Sequence, residues 1–427
     1  MKEQIKDIII EYQQFDFPSA KPREIDIPTD LNIITTLIGA RRSGKTYILY
    51  NLINNLVTSG ILKEQIVFLN LEDERLNLNS NNLDLILQAY SELYPYNNLK
   101  DVYFFFDEIQ NIKGWQKFIR RIFDTKSRHI FITGSNSKLL STEIATELRG
   151  RTISYRIYPL SFSEYLSFNN VKKELHPQQS RSKLIHYAEK FLFTGGFPET
   201  VFLKDKIRIR ILQEYFNTMI FRDIVERYNV SNTEVLKFFI KKVFAGVTKP
   251  FSINKTYNEL RSMGYKISNK YLYDFFDYCN TVFISQSISR FDFSEIKQAK
   301  SDKKAYIIDT GLLSSIEFSV SHNKGKLLEN MALMEFIKAG KEVFYFKDKS
   351  ECDFIVNTNG DFNPVQVSYD ISNSETRERE LRGLAAACKF LKKKRGTIIT
   401  FDQKEHITYK TIQVDVIPAY EYFLREI

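Results

Sequence analysis

A glycine-rich loop between a β-rich run and an amphipathic segment constrains the fold of this chain more than any other feature. Residues 39–46, Gly-Ala-Arg-Arg-Ser-Gly-Lys-Thr, fit the phosphate-loop pattern G-x-x-x-x-G-K-[ST]. Residues 32–38 before the loop are β-rich, and apolar residues after it recur at helical spacing until Gly60. The sequence therefore predicts a strand, a glycine loop and a helix, in that order.

This order predicts a nucleotide-binding site with ATP as the expected ligand. In such a loop the backbone N–H groups and the positive end of the helix dipole face the β-phosphate. Lys45 is expected to reach the β- and γ-phosphates, and the Thr46 hydroxyl is expected to ligate Mg²⁺. The predicted cofactor-binding residues are Gly39, Ala40, Arg41, Arg42, Ser43, Gly44, Lys45 and Thr46.

A buried strand that ends in two carboxylates supplies the second half of the predicted site. Residues 102–106 are continuously apolar, as expected for a strand covered on both faces of a parallel sheet, and Asp107 and Glu108 follow directly. We expect Asp107 to hold Mg²⁺ through its bound water, and Glu108 to polarise the attacking water. Together with the phosphate loop, these acids predict an ATPase site.

A further buried strand is predicted over residues 129–134, and it ends in small polar residues. If this strand lies between the acidic strand and the phosphate-loop strand, its end reaches the γ-phosphate. Asn136 is then the candidate for orienting the attacking water and sensing hydrolysis, with Ser135 and Thr133 as alternatives. Plain capping of the strand stays open as the other interpretation.

A fifth strand is predicted over residues 152–157, and two arginines precede it. The guanidinium of Arg151, or that of Arg149, is a candidate for stabilising charge in the transition state, within the same chain or in a neighbouring one. An ordinary surface position is the alternative for both arginines.

Composition favours a large multidomain protein over a small module. The 427 residues, of which 43% are hydrophobic, are enough for two or three packed domains. We find neither the run of ~18 apolar residues that a membrane span needs nor an apolar signal core. Three well-separated cysteines are expected to be free thiols. The expectation is a cytoplasmic protein that does not associate with membranes.

Seven short motifs follow one another through most of the chain: Ile38-Gly-Ala-Arg-Arg-Ser-Gly-Lys-Thr46, Asp107-Glu-Ile-Gln110 with Trp115, Thr133-Gly-Ser-Asn-Ser137, Leu148-Arg-Gly-Arg151, Pro159-Leu-Ser-Phe-Ser-Glu-Tyr165, Gly195-Gly-Phe-Pro-Glu199 and Phe221-Arg-Asp-Ile-Val-Glu-Arg-Tyr228. Their order and spacing resemble a prokaryotic AAA+-like P-loop ATPase family. The resemblance implies an α/β fold, in which a P-loop NTPase core with a five-stranded parallel sheet is followed by a helical lid, a winged helix and a C-terminal α/β restriction-endonuclease-like domain. The expected boundaries are 1–160 for the ATPase core, 161–229 for the lid, 230–315 for the winged helix and 316–427 for the endonuclease-like domain.

The predicted winged helix is the candidate DNA-binding part of the chain. Ser252 and Ser268 are expected to cap two successive helices, and two β-rich stretches follow. In a DNA reader, the second helix would present three residues to the major groove: Asn269, Lys270 and Tyr273. Five lysines would neutralise phosphates: Lys266, Lys297, Lys300, Lys303 and Lys304. The net charge of +9 agrees with double-stranded DNA bound through residues 252–304, but packing or binding of a protein client stays equally open.

The C-terminal part departs from the endonuclease-like pattern at two positions. In that pattern a helix acid, a strand acid and a following Glu-x-Lys hold a divalent metal and activate water. Glu329 and Asp353 match the two acids, whereas Gln366 and Ser368 stand where the third acid and the lysine belong. Nuclease activity is therefore not expected, and the domain is expected to bind or pack instead.

Two classes of function are compatible with these motifs. In the first, the chain hydrolyses Mg·ATP and moves its C-terminal half relative to the core, acting on DNA or on a protein client. In the second, it is a nucleotide-gated protein-binding switch with negligible turnover and no nucleic-acid role. Glu108 favours hydrolysis, because a pure binder has no need of a water-activating carboxylate. The oligomeric state is left open.

Overall fold

The computed structural model describes residues 1–136, 148, 150–176, 178–316 and 323–425. The chain divides into two units, one made of residues 1–158 with 281–283, and the other of residues 159–280 with 284–427. The first unit contains one sheet and the second contains two, and each unit has its own cluster of buried apolar side chains.

The first unit is built on a five-stranded sheet. Its strands are β1 (Ile34–Gly39), β2 (Ile66–Asn70), β3 (Tyr103–Asp107), β4 (His129–Gly134) and β5 (Thr152–Ile157). The order is β2-β3-β4-β1-β5, and every neighbouring pair is parallel. Strand β4 lies between the acidic strand β3 and the phosphate-loop strand β1, which confirms the predicted arrangement. Because the strands are parallel, their carboxyl ends share one edge of the sheet, where ligands bind in such folds.

The helices of the first unit include α1 (Lys2–Gln14), α2 (Lys45–Thr58), α3 (Asp84–Leu93) and α4 (Trp115–Thr125). Helix α2 buries the apolar stripe predicted from its helical spacing, including Ile48, Leu52 and Leu56. These side chains share a core with Phe68 of β2 and Phe105 of β3. Each such side chain contributes about 1.5–3 kcal/mol when fully buried, so this core fixes the helix that starts at the glycine loop.

The second unit begins with a helical segment. Helices α5 (Phe162–Phe168), α6 (Gln178–Thr194) and α7 (Asp205–Thr218) lead into a π-helical stretch, Met219–Glu226. The start of α5 is fixed by a capping box in which the Ser161 hydroxyl accepts the Glu164 N–H and the Glu164 carboxylate accepts the Ser161 N–H. These helices occupy the segment that was predicted as a lid.

Seven elements follow in the segment predicted as a winged helix: α8 (Thr233–Ala245), β6 (Pro250–Phe251), α9 (Ile253–Ser262), α10 (Asn269–Thr281), β7 (Ser285–Ile288), α11 (Glu295–Lys300) and β8 (Lys303–Ile307). The strands form an antiparallel sheet of order β6-β8-β7. Ser252 caps α9 as predicted, because its hydroxyl accepts the Lys255 N–H at 3.4 Å. The prediction missed β6, which has two residues, and α11, which lies in a stretch expected to be a polar loop.

The remaining elements are α12 (Thr310–Ile316), α13 (Lys324–Lys338), β9 (Glu342–Lys347), β10 (Glu351–Thr358), β11 (Asp361–Val367), α14 (Ser374–Leu391), β12 (Arg395–Thr400), β13 (Glu405–Tyr409), β14 (Ile412–Pro418) and α15 (Ala419–Arg425). The six strands form a mixed sheet of order β13-β14-β12-β11-β10-β9. Strands β9, β10 and β11 are antiparallel neighbours, whereas β12 is parallel to both β11 and β14. Within the described ranges, no helix is both long and apolar enough to span a membrane.

Candidate nucleotide-binding site

The glycine loop joins β1 to α2 in a conformation that depends on its glycines. Gly44 has a φ of 96° and immediately precedes α2, so it adopts the left-handed geometry that favours glycine. A Cβ on Gly39 would lie 1.9 Å from the Ile157 carbonyl oxygen, so the loop passes strand β5 too closely for any side chain. The buried Ser43 hydroxyl has no hydrogen-bond partner among the described residues, which leaves a polar atom in the loop for a phosphate oxygen.

Lys45 is the first residue of α2, and its side chain is folded into the loop. The residue is 4% exposed, and its Nζ donates to the carbonyl oxygens of Gly39 and Ala40, each at 3.1 Å. The same Nζ lies 3.4 Å from Glu108 Oε1. A buried ammonium is therefore held between the loop and the end of β3, where an anionic phosphate would find a compensating charge.

Asp107, at the end of β3, is tied to both neighbouring segments of the predicted site. Its Oδ2 accepts a hydrogen bond of 2.8 Å from the Thr46 hydroxyl, and its Oδ1 accepts one of 2.5 Å from the Thr133 hydroxyl. Burial, followed by repulsion from Glu108, raises the pKa of Asp107 to about 6. A divalent cation beside Asp107 would lower its pKa again and favour the ionised carboxylate. The Thr46 hydroxyl and this carboxylate also supply the hard oxygen donors that Mg²⁺ takes. The residues present therefore fit Mg²⁺.

Glu108 is held in place by three contacts. Its backbone N–H donates to Thr133 Oγ1 at 2.8 Å, its carboxylate accepts from Gln110 Nε2 at 2.5 Å, and Lys45 provides the third contact. Burial raises the pKa of Glu108, but the charge of Lys45 and the Gln110 hydrogen bond outweigh it, so the net pKa lies below its usual range. The carboxylate is thus kept ionised, as a group that accepts a proton from water requires.

Glu108 also has a left-handed backbone with a φ of 54°. Such a conformation in a residue with a side chain costs of order 1–3 kcal/mol and persists where the surroundings impose it. Strand β3 ends at Asp107, and a 3₁₀ turn over Ile109–Asn111 begins directly after Glu108.

The polar residues after β4 lie at the same edge of the sheet. Ser135 and Asn136 are both buried, and Ser135 Oγ lies 3.3 Å from Gln110 Nε2. Gln110 therefore connects the Glu108 carboxylate to the end of β4. A sensing role for Asn136 remains a prediction.

Arg151 does not lie at this edge. Its carbonyl oxygen accepts the Ile34 N–H at the start of β1, and its Nε forms an ion pair of 3.0 Å with Asp124. The glycine loop leaves β1 five residues later, at the opposite end of the strand, which is roughly 16 Å away at about 3.3 Å per residue. The position of Arg151 therefore contradicts the expected role at the nucleotide of its own chain. A role towards a neighbouring chain stays a prediction. Arg149 lies outside the described residues.

Sequence reasoning missed one arginine that supports the loop. Arg23 Nη1 donates to the Ser43 carbonyl oxygen and Nη2 to the Tyr158 carbonyl oxygen, both at 2.9 Å. This guanidinium joins the phosphate loop to the end of β5. A lone arginine before the first strand belongs to no motif, so no local signal could have identified it.

The lysines predicted to contact DNA do not share one environment. Four of the five phosphate-neutralising candidates are exposed: Lys266, Lys297, Lys300 and Lys303. Lys304 is fully buried, and its Nζ lies 2.8 Å from Glu351 Oε1. The prediction that Lys304 neutralises a DNA phosphate is therefore wrong, because its side chain is buried beside carboxylates and cannot reach a phosphate.

Gln366 and Ser368, the two residues that depart from the endonuclease-like pattern, form hydrogen bonds within the domain. Gln366 Oε1 accepts the Asp353 N–H at 3.1 Å, and its Nε2 donates to Glu380 at 2.5 Å. The Ser368 hydroxyl donates to the Asp370 carbonyl oxygen at 3.2 Å. Among the residues that the structure describes, no group of three or more His, Cys, Asp or Glu side chains is placed to hold a metal ion.

Comparison with known families divides the chain into three matched segments. A family described as an AAA domain matches residues 32–166. Two domains of unknown function, DUF8612 and DUF4143, match residues 185–322 and 324–422.

Two relatives match most of the chain. The uncharacterized protein MJ1544 of Methanocaldococcus jannaschii is 33% identical over 423 residues, which cover 94% of this chain and 90% of the relative. An uncharacterized protein of Haemophilus influenzae is 33% identical over 345 residues, which cover 80% and 84% of the two chains.

Solved structures give weaker similarities. Cdc6p from Pyrobaculum aerophilum aligns with 78% of this chain and 93% of its own at 13% identity and a TM-score of 0.26. The Orc1 protein of Aeropyrum pernix, solved in complex with DNA, aligns with 79% and 92% at 10% identity and a TM-score of 0.28. These scores are too low to support an inference about function.

The parallel sheet, the glycine loop and the AAA-domain match agree with one another. The core is an α/β P-loop NTPase fold, and the match to the M. jannaschii protein extends the relationship over nearly the whole chain. The chain belongs to a prokaryotic P-loop ATPase family that joins an N-terminal AAA domain to a C-terminal DUF4143 domain.

Proposed function

We propose that this chain binds Mg·ATP at the carboxyl edge of its parallel sheet and hydrolyses it. The supporting observation is a connected set of hydrogen bonds at that edge. Asp107 accepts from Thr46 and Thr133, and Thr133 accepts the backbone N–H of Glu108. The predicted metal-binding pair and the predicted water-activating carboxylate are thereby held in one network.

Each residue of the network has a distinct proposed role. The glycine loop, residues 39–46, holds the phosphates, and the buried Lys45 ammonium balances their charge. Thr46 and Asp107 hold Mg²⁺, which when bound neutralises charge on the β- and γ-phosphates. Glu108 accepts a proton from the attacking water, and Asn136 senses the γ-phosphate from the end of β4.

The rest of the chain is proposed to act on a partner. We assign residues 1–160 to the ATPase core, 161–229 to a lid, 230–315 to a winged helix and 316–427 to the endonuclease-like domain. Nucleotide turnover would move the later parts relative to the core. The buried free thiols agree with a reducing, cytoplasmic location.

Double-stranded DNA is the first candidate partner. We assign residues 233–307 to a winged helix because two successive helices, α9 and α10, are followed by strands, and α10 exposes Lys270 and Tyr273. The exposed lysines of the wing segment, Lys297, Lys300 and Lys303, are available for phosphates.

A protein client is the second candidate partner. Phe293 and Ile296 of the wing segment are 71% and 69% exposed. Large apolar side chains that stay in water beside one another are typical of surfaces that bind another protein. This interpretation corresponds to the nucleotide-gated switch, in which association is the output.

Nucleotide binding and turnover are tested with two variants and a control. Lys45→Ala should lose ATP binding by calorimetry, because the buried ammonium is removed. Glu108→Gln should keep ATP affinity and lower turnover by ~10² to 10⁴, the usual worth of acid–base assistance. Glu64→Gln, at an exposed acid of the same unit, should match the parent in both assays. Parental affinity in Lys45→Ala, or parental turnover in Glu108→Gln, would refute the corresponding role.

The partner is tested by repeating the ATPase assay with single- and double-stranded DNA and by measuring DNA affinity against salt. A triple variant, Lys297→Gln with Lys300→Gln and Lys303→Gln, should bind less tightly and with a shallower salt dependence. The slope of log affinity against log salt changes by about 0.9 for each phosphate that the variant no longer neutralises. Salt-independent affinity, or equal slopes in the variant and the parent, would leave the protein client as the partner class.

A further inference from the structure

One lysine of the three-stranded sheet is buried among acids of helix α13 and strand β10. Lys304, in β8, is 0% exposed. Its Nζ lies 2.8 Å from Glu351 Oε1, 3.6 Å from Glu329 Oε1 and 3.7 Å from Asp353 Oδ1. Helix α13 and strand β10 therefore direct three carboxylates at a single ammonium, and we call these four residues the Lys304 cluster.

The ammonium is held mainly by the opposite charges around it. Its nearest partner is Glu351 Oε1 at 2.8 Å, a distance typical of a charge-assisted hydrogen bond. The ring of Tyr345 lies 5.4 Å from Nζ and adds a cation–π contact. The ammonium thus supplies the positive charge that a metal ion would supply at a site made of carboxylates.

Burial and neighbouring charges act differently on the three acids of the cluster. Burial, followed by repulsion from Asp353, raises the pKa of Glu329 to about 8, and the Tyr306 hydroxyl donates to its Oε1 at 2.8 Å. Burial also raises the pKa of Asp353 to about 6. For Glu351 burial acts in the same direction, but Lys304 and then Lys347 outweigh it and lower its pKa.

Lys304 Nζ occupies the position where a metal ion bound by the same three carboxylates would lie, since all three approach it at 2.8–3.7 Å. Lys347 at the rim lies 3.3 Å from Glu351 Oε2 and adds a second positive charge. A divalent cation would therefore meet an occupied position beside two ammonium groups. The lysine and a metal ion are thus mutually exclusive occupants.

The position of Lys304 also accounts for the departures from the endonuclease-like pattern. Ser368 replaces the lysine of that pattern, and its hydroxyl bonds to the backbone. The positive charge that the pattern places two residues after Gln366 comes instead from β8, more than sixty residues earlier in the chain. Two matched acids and a cation are present, but the cation arrives from a different segment.

We propose that Lys304 is the resident cation of this carboxylate site and keeps it closed to divalent metal ions. The site is then a structural clasp that joins β8 to α13 and β10, and it does not take part in phosphodiester cleavage. Removal of the Lys304 side chain should open a site with the oxygen ligands that a hard cation takes. The clasp does not depend on ATP binding or hydrolysis.

The test measures binding of a hard cation to full-length variants. All variants carry Asp107→Asn, which removes the proposed metal ligand of the nucleotide site. Tb³⁺ is the probe, because the Tyr306 ring beside Glu329 should sensitise its luminescence. Lys304→Ala should bind Tb³⁺ at least tenfold more tightly than the Asp107→Asn parent, and Mn²⁺ should compete. The matched control is Lys303→Ala, the exposed neighbour on the same strand, which should behave like the parent.

Two additional variants connect the new site to the cluster. Glu329→Gln or Asp353→Asn, each added to Lys304→Ala, should remove the gain in Tb³⁺ affinity. A folded Lys304→Ala variant that binds Tb³⁺ no more tightly than Lys303→Ala would overturn the proposal. So would a gain in affinity that survives both acid substitutions, because the ion would then be bound elsewhere.

Thermal unfolding covers the case in which Lys304→Ala folds poorly. Mn²⁺ or a primary alkylamine, by replacing the missing charge, should raise the melting temperature of Lys304→Ala and leave that of Lys303→Ala unchanged. If Lys304→Ala is insoluble, refolding in the presence of either cation should recover soluble protein. Failure of both cations to stabilise or recover the variant would show that Lys304 does not act as the cation of the site.

Discussion

Replacing Gly195 by alanine is predicted to destabilise the second unit through the buried carboxylate of Asp309. Gly195 has a φ of 69°, and an added Cβ would lie 2.1 Å from Asp309 Oδ1. Asp309 cannot retreat freely, because its Oδ2 accepts the Gly196 N–H at 2.6 Å and its Oδ1 accepts the Leu312 N–H at 2.8 Å. In the Gly195–Glu199 motif, Gly195 thus leaves space for the Asp309 carboxylate, and Gly196 donates a hydrogen bond to it.

The size of the effect follows from two contributions. Left-handed backbone geometry costs alanine about 1–2 kcal/mol relative to glycine. Displacing Asp309 far enough to lose one of its hydrogen bonds adds about 1.5–3 kcal/mol, the range for bonds to a charged group. The free energy of unfolding should therefore fall by about 2.5–5 kcal/mol.

Gly340 provides a matched control in the same unit. Its φ is 72°, and an added Cβ would meet no atom within 4 Å. Gly340→Ala should therefore cost only the backbone contribution, about 1–2 kcal/mol. The difference between the two variants isolates the contact with Asp309.

Calorimetry of the two variants is the assay. Since 1 kcal/mol shifts the melting temperature of a domain of this size by about 2–4 °C, the transition of the second unit should fall two to three times further in Gly195→Ala than in Gly340→Ala. Equal shifts would refute the reasoning. A double-mutant cycle adds a second check, because Gly195→Ala should cost little beyond the backbone contribution once Asp309→Ala has removed the carboxylate.

Three further predictions concern the nucleotide site. Arg23→Ala should weaken ATP binding several-fold in calorimetry, because the guanidinium no longer joins the carbonyl oxygens of Ser43 and Tyr158; unchanged affinity would exclude this supporting role. Thr133→Val should lower turnover about tenfold or more with little change in ATP affinity, because it removes the hydroxyl that donates to Asp107 and accepts the backbone N–H of Glu108. Parental turnover in this variant would contradict the prediction. Arg151→Ala should leave the turnover of isolated chains unchanged in a dilution series, and a loss that persists at the highest dilution would refute its placement away from the nucleotide.

The nucleotide-binding core could be predicted from sequence because its signals are local. Residues 102–106 are continuously apolar because β3 is buried on both faces, and a run of that kind is visible without any tertiary information. The glycine loop is likewise specified by neighbouring residues, since its geometry depends on Gly39 and Gly44. The short elements β6 and α11 were missed because two and six residues are too few to display a period.

The contacts that could not be predicted from sequence depend on which way a side chain faces. Lys303 and Lys304 are adjacent and chemically identical, yet one is exposed and the other is buried in an acidic cluster. A count of basic residues assigns both to the same surface, whereas their burial is decided by the packing of β8 against α13 and β10. A role for Arg151 at the nucleotide of its own chain is contradicted for a related reason, because the position of Arg151 depends on the end of β5 at which it lies, whereas a role towards a neighbouring chain stays a prediction.

The Lys304 cluster suggests how the absence of a motif residue is best interpreted. Electrostatic compensation requires a charge at a point in space, and Coulomb interactions at 3–4 Å do not depend on which segment supplies it. A missing lysine at position 368 therefore argues against metal-dependent cleavage, but it does not argue that the acids lack a cation. Removing one partner from a buried ionic cluster typically costs about 3–5 kcal/mol, so Glu329 and Asp353 can serve folding without serving catalysis. Acids that match the endonuclease-like pattern are consequently evidence of a buried charge, and metal-dependent activity depends on what occupies the space between them.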